Sequence, residues 1–171
     1  MFKKICSILS TIIMILLVAI AGLMFVPRVL GCQEFAVLSG SMVPAIPVGA
    51  LVVDKKPDTA SLEVGDIVTY QISEDTLVTH RVTAIDETAK TVTTKGDANN
   101  VEDGAPVPFS NIVGVYAFHV PYLGYISIYG KTPLGIAGIC GVLIVIILLN
   151  FLPDALSSDD QGAEHKLSEE K

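Results

Sequence analysis

Leu77-Val78-Thr79-His80-Arg81-Val82-Thr83 decides how the middle of this chain folds. Side chains alternate across an extended strand, so Val78, His80 and Val82 fall on one face and Thr79, Arg81 and Thr83 on the other. Stretches of similar texture surround it. Phe35 to Leu38, Leu51 to Lys55, Asp66 to Ile72, Leu77 to Ile85, Thr91 to Lys95 and Ile112 to Phe118 are short and rich in Val, Ile and Thr. Gly, Pro, Asp and Asn separate them, which predicts several antiparallel strands joined by turns. Val64-Gly65-Asp66 reads as a turn into a strand, and Asp86-Glu87-Thr88 as a hairpin connection. No long segment of this middle region has helical periodicity, and no internal repeat is present.

Working outward, an apolar run closes each side. Ile5 to Val26 carries no charge and is long enough to cross a bilayer as a helix. Lys3 and Lys4 before it argue for a cytoplasmic N-terminus. Ala19-Ile20-Ala21 offers a small-x-small cleavage site, but the run continues through Leu23, Met24, Phe25 and Val26, so an uncleaved anchor is expected rather than a removed leader. Leu134 to Leu152 is just long enough for a second span. Its inner flank lacks basic residues, so its orientation follows from the first helix and not from local charge. The expected organisation is a cytoplasmic start (1–4), a transmembrane helix (5–26), an extracytoplasmic β domain (27–133), a second transmembrane helix (134–152) and an acidic, disordered cytoplasmic tail (153–171). The fold class is therefore mainly β: a small antiparallel β domain between two transmembrane helices.

Composition agrees. The 171 residues are 51% hydrophobic and carry a net charge of -7, with the apolar excess concentrated in the two runs. Mean hydropathy of +0.60 is too high for an ordinary soluble chain. No basic stripe exists, which argues against a nucleic-acid partner. Of the three cysteines, Cys6 and Cys140 lie inside the apolar runs, leaving Cys32 outside; no CxxC or Cys/His spacing predicts a metal, and no cofactor is expected.

Ser39-Gly40-Ser41-Met42-Val43-Pro44 has the residue types of an ordinary turn, but Ser41 becomes a nucleophile if a base is at hand. His80 on its apolar face is one such base, although a satisfied core histidine is the bland alternative. His119, at a strand end before Pro121, is a weaker candidate. Lys95-Gly96-Asp97-Ala98-Asn99-Asn100-Val101-Glu102-Asp103-Gly104 packs carboxylates and amides after a strand, either as a solvated turn or as the source of a carboxylate that orients the imidazole. Lys55, Lys56 and Lys95 are the lysines near these motifs. A serine–lysine dyad would need one of them buried and neutral, and the adjacency of Lys55 and Lys56 works against it.

These stretches together resemble the type I signal peptidases. Ser39-Gly40-Ser41-Met42-Val43-Pro44, Val52-Val53-Asp54 after Gly49, Gly65-Asp66-Ile67-Val68, Thr79-His80-Arg81-Val82, Lys95-Gly96-Asp97 and Asp103 follow the family's box order over roughly residues 35 to 125. A histidine where many bacterial enzymes have lysine points to the endoplasmic-reticulum or archaeal type, the SipW-like group. The resemblance implies a β core like that of the repressor autopeptidases, and a membrane-anchored serine endopeptidase that removes signal peptides from secreted preproteins. It implies Ser41 as nucleophile, His80 as general base, Asp103 as acidic partner with Asp97 as second candidate, and Ser39 with the Ser41 N–H as oxyanion donors. Ala98 departs from the family's frequent Asn. Partners implied are signal-peptide-bearing preproteins and the lipid bilayer, with the translocation channel as a candidate. Val37, Met42 and Val53 are the expected walls of a shallow pocket for small residues. A non-enzymatic receptor or adaptor accounts equally well for the topology, but not for Ser41, His80 and Asp103 together. A self-cleaving repressor-type protein is the enzymatic rival.

Overall fold

The computed structural model describes residues 2–169, with side chains for residues 3–151. It divides into two compact units, one made of Met1–Met24 with Thr132–Lys171 and the other of Phe25–Lys131.

The first unit holds most of α1 (Phe2–Val29) and α3 (Pro133–Glu169). Lys3–Val29 and Pro133–Phe151 are long and apolar enough to cross a membrane. Ile8, Ile15, Val18, Leu143 and Ile147 are all more than half exposed or close to it, an arrangement that water penalises and a bilayer does not. Among the described side chains of this unit, the buried ones are Cys6, Ser10 and Ile146. There Asn150 Nδ2 donates to Ser10 Oγ at 2.9 Å and to the Ile146 carbonyl at 2.8 Å, so a polar side chain in an apolar helix is satisfied within the pair. The expectation for the tail, residues 153–171, falls outside the described side chains.

α1 ends in a left-handed glycine. Gly31 has φ +81°, and Cys32 N donates to the Pro27 carbonyl at 2.9 Å, which satisfies the last turn and turns the chain into the sheet.

The second unit is built on β1 (Gln33–Ala36), β2 (Leu51–Lys55), β3 (Ile67–Ser73), β4 (Thr76–Asp86), β5 (Thr91–Lys95), β6 (Val107–Pro108) and β7 (Ile112–Val120), with one short helix, α2 (Gly124–Tyr129). The strands form a single antiparallel sheet in the order β1-β2-β7-β3-β4-β5-β6. The mainly β reading therefore holds. β2 and β5 have the bounds expected from sequence, and β3, β4 and β7 differ by one or two residues at an end. β1 sits earlier than Phe35 to Leu38, because the chain leaves the ladder as it enters the Ser39 turn. Two-residue β6 and six-residue α2 were not legible, being too short for a periodic signal.

Both faces of the sheet are packed. Leu62, Val68, Tyr70, Val82, Val92, Val107 and Ile112 cluster on one side. Met42, Ile46, Ala50, Val52 and Ile67 cluster on the other. Double coverage explains why Leu51-Val52-Val53-Asp54 is buried throughout and does not alternate. Each such fully buried aliphatic side chain contributes about 1.5–3 kcal/mol. Asp54 is the exception among them: its carboxyl is fully buried, and neither oxygen has a hydrogen-bond donor. A Cβ at Gly114 would lie 2.6 Å from Asp54 Cβ, so the neighbouring strand gives it room only by having no side chain there. Burial pushes the Asp54 carboxyl up to about 6. The Thr69 hydroxyl, which shares a 2.9 Å hydrogen bond with Thr79 Oγ1, pulls the other way but less strongly.

Candidate active site

Ser41 sits in a loop whose two ends are tied together. Val37 N donates to the Ala50 carbonyl at 2.9 Å and Gly49 N to the Val37 carbonyl at 2.8 Å, which closes residues 37–50 against β2. Inside it, Ile46 N donates to the Met42 carbonyl at 2.8 Å, making one tight turn directly after Ser41. Buried Met42 and Ile46 anchor this turn in the core, so the backbone that carries Ser41 is held by packing. Ser39 Oγ and Ser41 Oγ lie 3.3 Å apart, within hydrogen-bond reach.

His80 lies mid-strand on β4, buried, on the face shared with Val78 and Val82 as alternation required. It is not a merely packed core histidine. Its Nδ1 is 2.6 Å from Asp103 Oδ2. An ionised carboxylate only accepts, so the proton of this bond belongs to Nδ1 and Nε2 is left as the basic nitrogen. Tyr70 OH donates to the same oxygen at 3.0 Å, and Thr94 Oγ1 at 2.6 Å. The Asp103 N–H in turn donates to the Thr94 carbonyl at 2.8 Å, which fixes the loop to β5.

The electrostatics follow from this crowding. Burial alone would push the Asp103 carboxyl up, but the hydroxyl of Thr94, the His80 N–H with its charge and the Tyr70 hydroxyl outweigh it and hold the carboxyl below its ordinary value. Burial, with the charge of Asp103 beside it, pushes the Tyr70 phenol up to about 12, against the pull of the Thr94 hydroxyl, so it stays a donor at neutral pH.

Asp97 is elsewhere. Its two oxygens accept from Arg81 Nε at 2.8 Å and Nη2 at 2.6 Å, while Arg81 Nη1 donates to the Gly65 carbonyl at 2.8 Å. The bidentate bond to Asp97 holds the guanidinium firmly protonated, above its ordinary value. This clamp lies on the face of β4 opposite His80. It fixes the loop that touches the serine: Ala98 N donates to the Ser41 carbonyl at 2.8 Å. A Cβ on Gly96 would be 2.7 Å from that same carbonyl, so the close approach requires glycine. Ala98 contributes through its backbone, which makes the side-chain departure from Asn harmless to this contact. His119 is engaged with Tyr116, Nδ1 to OH at 2.9 Å.

Ser41 and His80 line one groove of about 620 Å³ together with Ser39, Val37, Leu38, Met42, Ile46 and Val78. Of the expected pocket walls, Val37 and Met42 line it. Val53 does not: it is fully buried in β2, on the strand face away from Val52 and Met42. A strand buried on both faces hides its alternation, so Val53 could not be discarded before its packing was seen. None of Lys55, Lys56 and Lys95 lines the groove. Tyr70 and Thr94 are the members of the site that sequence reading missed. Thr94 had one signal, a hydroxyl at a buried strand position two residues before Gly96, where a partner is obligatory. Among the described residues no group of three His, Cys, Asp or Glu side chains could hold a metal ion.

This arrangement can be compared with known proteins. Residues 7–98, more than half of the chain, match the family described as signal peptidase, peptidase S26. The chain belongs to that family. The matched stretch takes in Ser39, Ser41, His80 and Asp97, and stops short of Asp103. Signal peptidase I W of Bacillus subtilis (strain 168) is 37% identical over 99 residues, which is 56% of this chain and 52% of that protein. The signal peptidase complex catalytic subunit SEC11 of Schizophyllum commune (strain H4-8 / FGSC 9210) is 30% identical over 140 residues, 64% of this chain and 72% of that one. The chain thus spans about half the length of the first relative and nearly three quarters of the second. Both relatives place this signal peptidase family member with the SipW-like and endoplasmic-reticulum type.

Proposed function

We propose that the protein is a membrane-anchored serine endopeptidase that removes N-terminal signal peptides from preproteins. Ser41 is the nucleophile, His80 the general base and Asp103 the group that orients and balances the imidazole. The observation that carries this reading is the 2.6 Å bond between His80 Nδ1 and Asp103 Oδ2 in a groove shared with Ser41.

In the reaction, Nε2 of His80 takes the Ser41 hydroxyl proton as Oγ attacks the scissile carbonyl. For this, Ser41 Oγ turns from Ser39 toward the imidazole; catalytic hydrogen bonds of a free enzyme commonly tighten only when substrate is bound. Asp103 accepts from Nδ1–H throughout and stabilises the imidazolium. Thr94 and Tyr70 occupy the same carboxylate oxygen and hold it in line. Oxyanion charge is met by the Ser41 N–H and the Ser39 hydroxyl. The imidazolium then protonates the departing amine, the new N-terminus of the mature protein. A water, deprotonated by His80, attacks the ester left on Ser41; the imidazolium returns that proton to Ser41 Oγ as the acyl bond breaks, and the signal peptide leaves with a free carboxylate.

The groove's apolar walls near Ser41 suit small residues before the cut bond. Lys3 and Lys4 ahead of the first span support a cytoplasmic start, with the β unit on the extracytoplasmic side, where a preprotein emerges. The partners are preproteins, the bilayer and the translocation channel. Membranes carrying the Ser41→Ala or His80→Ala protein should leave a labelled preprotein uncut. Full processing by either variant would overturn the mechanism.

A further inference from the structure

Gly96 brings two groups to one spot beside the nucleophile. A Cβ built there would lie 2.7 Å from the Ser41 carbonyl oxygen and 2.8 Å from Asn99 Nδ2. The amide nitrogen of Asn99 is therefore no farther from the Ser41 carbonyl than those two distances laid end to end. Backbone bonds fix this arrangement. β5 stays paired with β4 up to Lys95 opposite Arg81. Asn99 N then donates to the Gly96 carbonyl at 2.9 Å, and Ala98 N to the Ser41 carbonyl at 2.8 Å. Asn99 lines the groove that Ser41 and His80 share. It is half-buried, and among the described residues its carboxamide has no hydrogen-bond partner. An asparagine that only shapes a turn commonly bonds the nearby backbone with its side chain, and this one does not. The Ser41 carbonyl beside it is already occupied by Ala98 N–H.

We infer that the Asn99 carboxamide binds the main chain of the substrate, at a peptide unit next to the bond that is cut. A carboxamide carries one acceptor oxygen and an NH2 donor, which match the N–H and carbonyl that a peptide unit presents. An extended chain advances roughly 3.3 Å per residue. A group this close to the nucleophile's own carbonyl therefore reaches about one residue to either side of the scissile bond. Such a contact holds the chain across Ser41 without demanding a particular side chain. The inference rests on the peptidase reading above.

The test uses the full-length enzyme in proteoliposomes and synthetic signal peptides in which one amide is replaced by an ester. The ester lacks the N–H and has a weaker acceptor carbonyl. It is placed at the peptide unit just before the scissile bond, at the one just after it, or, as a reference, several residues upstream. The wild type should lose about three- to tenfold in kcat/KM with the ester at one of the two adjacent units. Asn99→Ala should lose a similar factor on the all-amide peptide, and that ester should then cost it under about twofold, while the reference ester costs both enzymes the same. Asn99→Leu keeps nearly the same shape without donor or acceptor; it should behave alike and serves if the alanine variant does not fold. Ester penalties that are equal in wild type and variants at both adjacent units, or absent in the wild type, would overturn the contact and assign Asn99 to the turn alone. Anisotropy of the same peptides, fluorescently labelled, on Ser41→Ala and Ser41→Ala/Asn99→Ala reads the coupling without cleavage. Coupling there, with no turnover by the wild type, would sink the peptidase reading and leave the contact standing; turnover with matching ester penalties would remove the contact and leave the peptidase.

Discussion

Asp54 should make the β unit less stable as pH rises, and the size of the effect can be worked from its surroundings. Its carboxyl is fully buried without a donor, and burial pushes it up to about 6 from an ordinary 3.8. Below about pH 4 the group is protonated in both folded and unfolded chains and carries no penalty. Between about pH 4 and 6 the folded chain holds the proton more tightly, so it binds more protons than the unfolded chain and stability falls as pH rises. Above that window both states are ionised and the penalty is complete. A displacement of about two pH units, at 1.36 kcal/mol each, makes it about 3 kcal/mol. For a chain of this size that is roughly 6–12 °C in Tm. Asp54→Asn has nearly the same shape and cannot ionise. Its amide adds a constant cost of its own, so the informative quantity is the change with pH. The full-length protein in detergent should be unfolded by heat at several pH values and followed by far-UV circular dichroism, as the chain has no tryptophan. The Tm of Asp54→Asn minus that of wild type should rise by several degrees from about pH 4 to about pH 7. A difference that stays flat, or falls, would refute the reasoning and mean that Asp54 finds a donor in solution.

Two further predictions concern the carboxylates of the loop after β5. Thr94→Val keeps the shape of the side chain but removes the 2.6 Å bond to Asp103; bonds to charged groups contribute about 1.5–3 kcal/mol, so kcat on a labelled preprotein should drop at least severalfold. Because the Thr94 hydroxyl is one of the groups holding the Asp103 carboxyl low, the acid limb of the pH–rate profile should also move to higher pH, and an unchanged limb would show that Thr94 does not act through Asp103. Asp103→Asn should lower kcat by on the order of 10³–10⁴, as expected when the imidazole loses the partner that fixes its tautomer. Asp97→Asn, which breaks a pair with the half-exposed Arg81, should cost about 1 kcal/mol or less of stability and under about tenfold in kcat. Equal losses in the two variants would reject the division of roles.

The local sequence was sufficient for much of this. Period-two alternation fixed β4 and the face that carries His80, because side-chain direction on a strand is a local property. Uncharged runs of bilayer length marked both long helices, because backbone hydrogen bonding inside a membrane leaves few alternatives. The Ser39–Pro44 turn was legible from its residue types, and box order joined it to His80 and the acidic loop. What the sequence left open was which loop carboxylate meets the imidazole. Asp97 and Asp103 both follow β5 within a few residues and have the same chemistry, and only the folded sheet separates them. Arg81 and His80 are adjacent and point to opposite faces, so the loop delivers Asp97 to one face and Asp103 to the other. Tyr70 and Thr94 join Asp103 from two strands that are not neighbours in the sheet, and no sequence period records such a meeting. Val53 shows the same limit in reverse: with both faces of β2 covered, its pattern is apolar throughout, and only packing decides which side chains reach the groove.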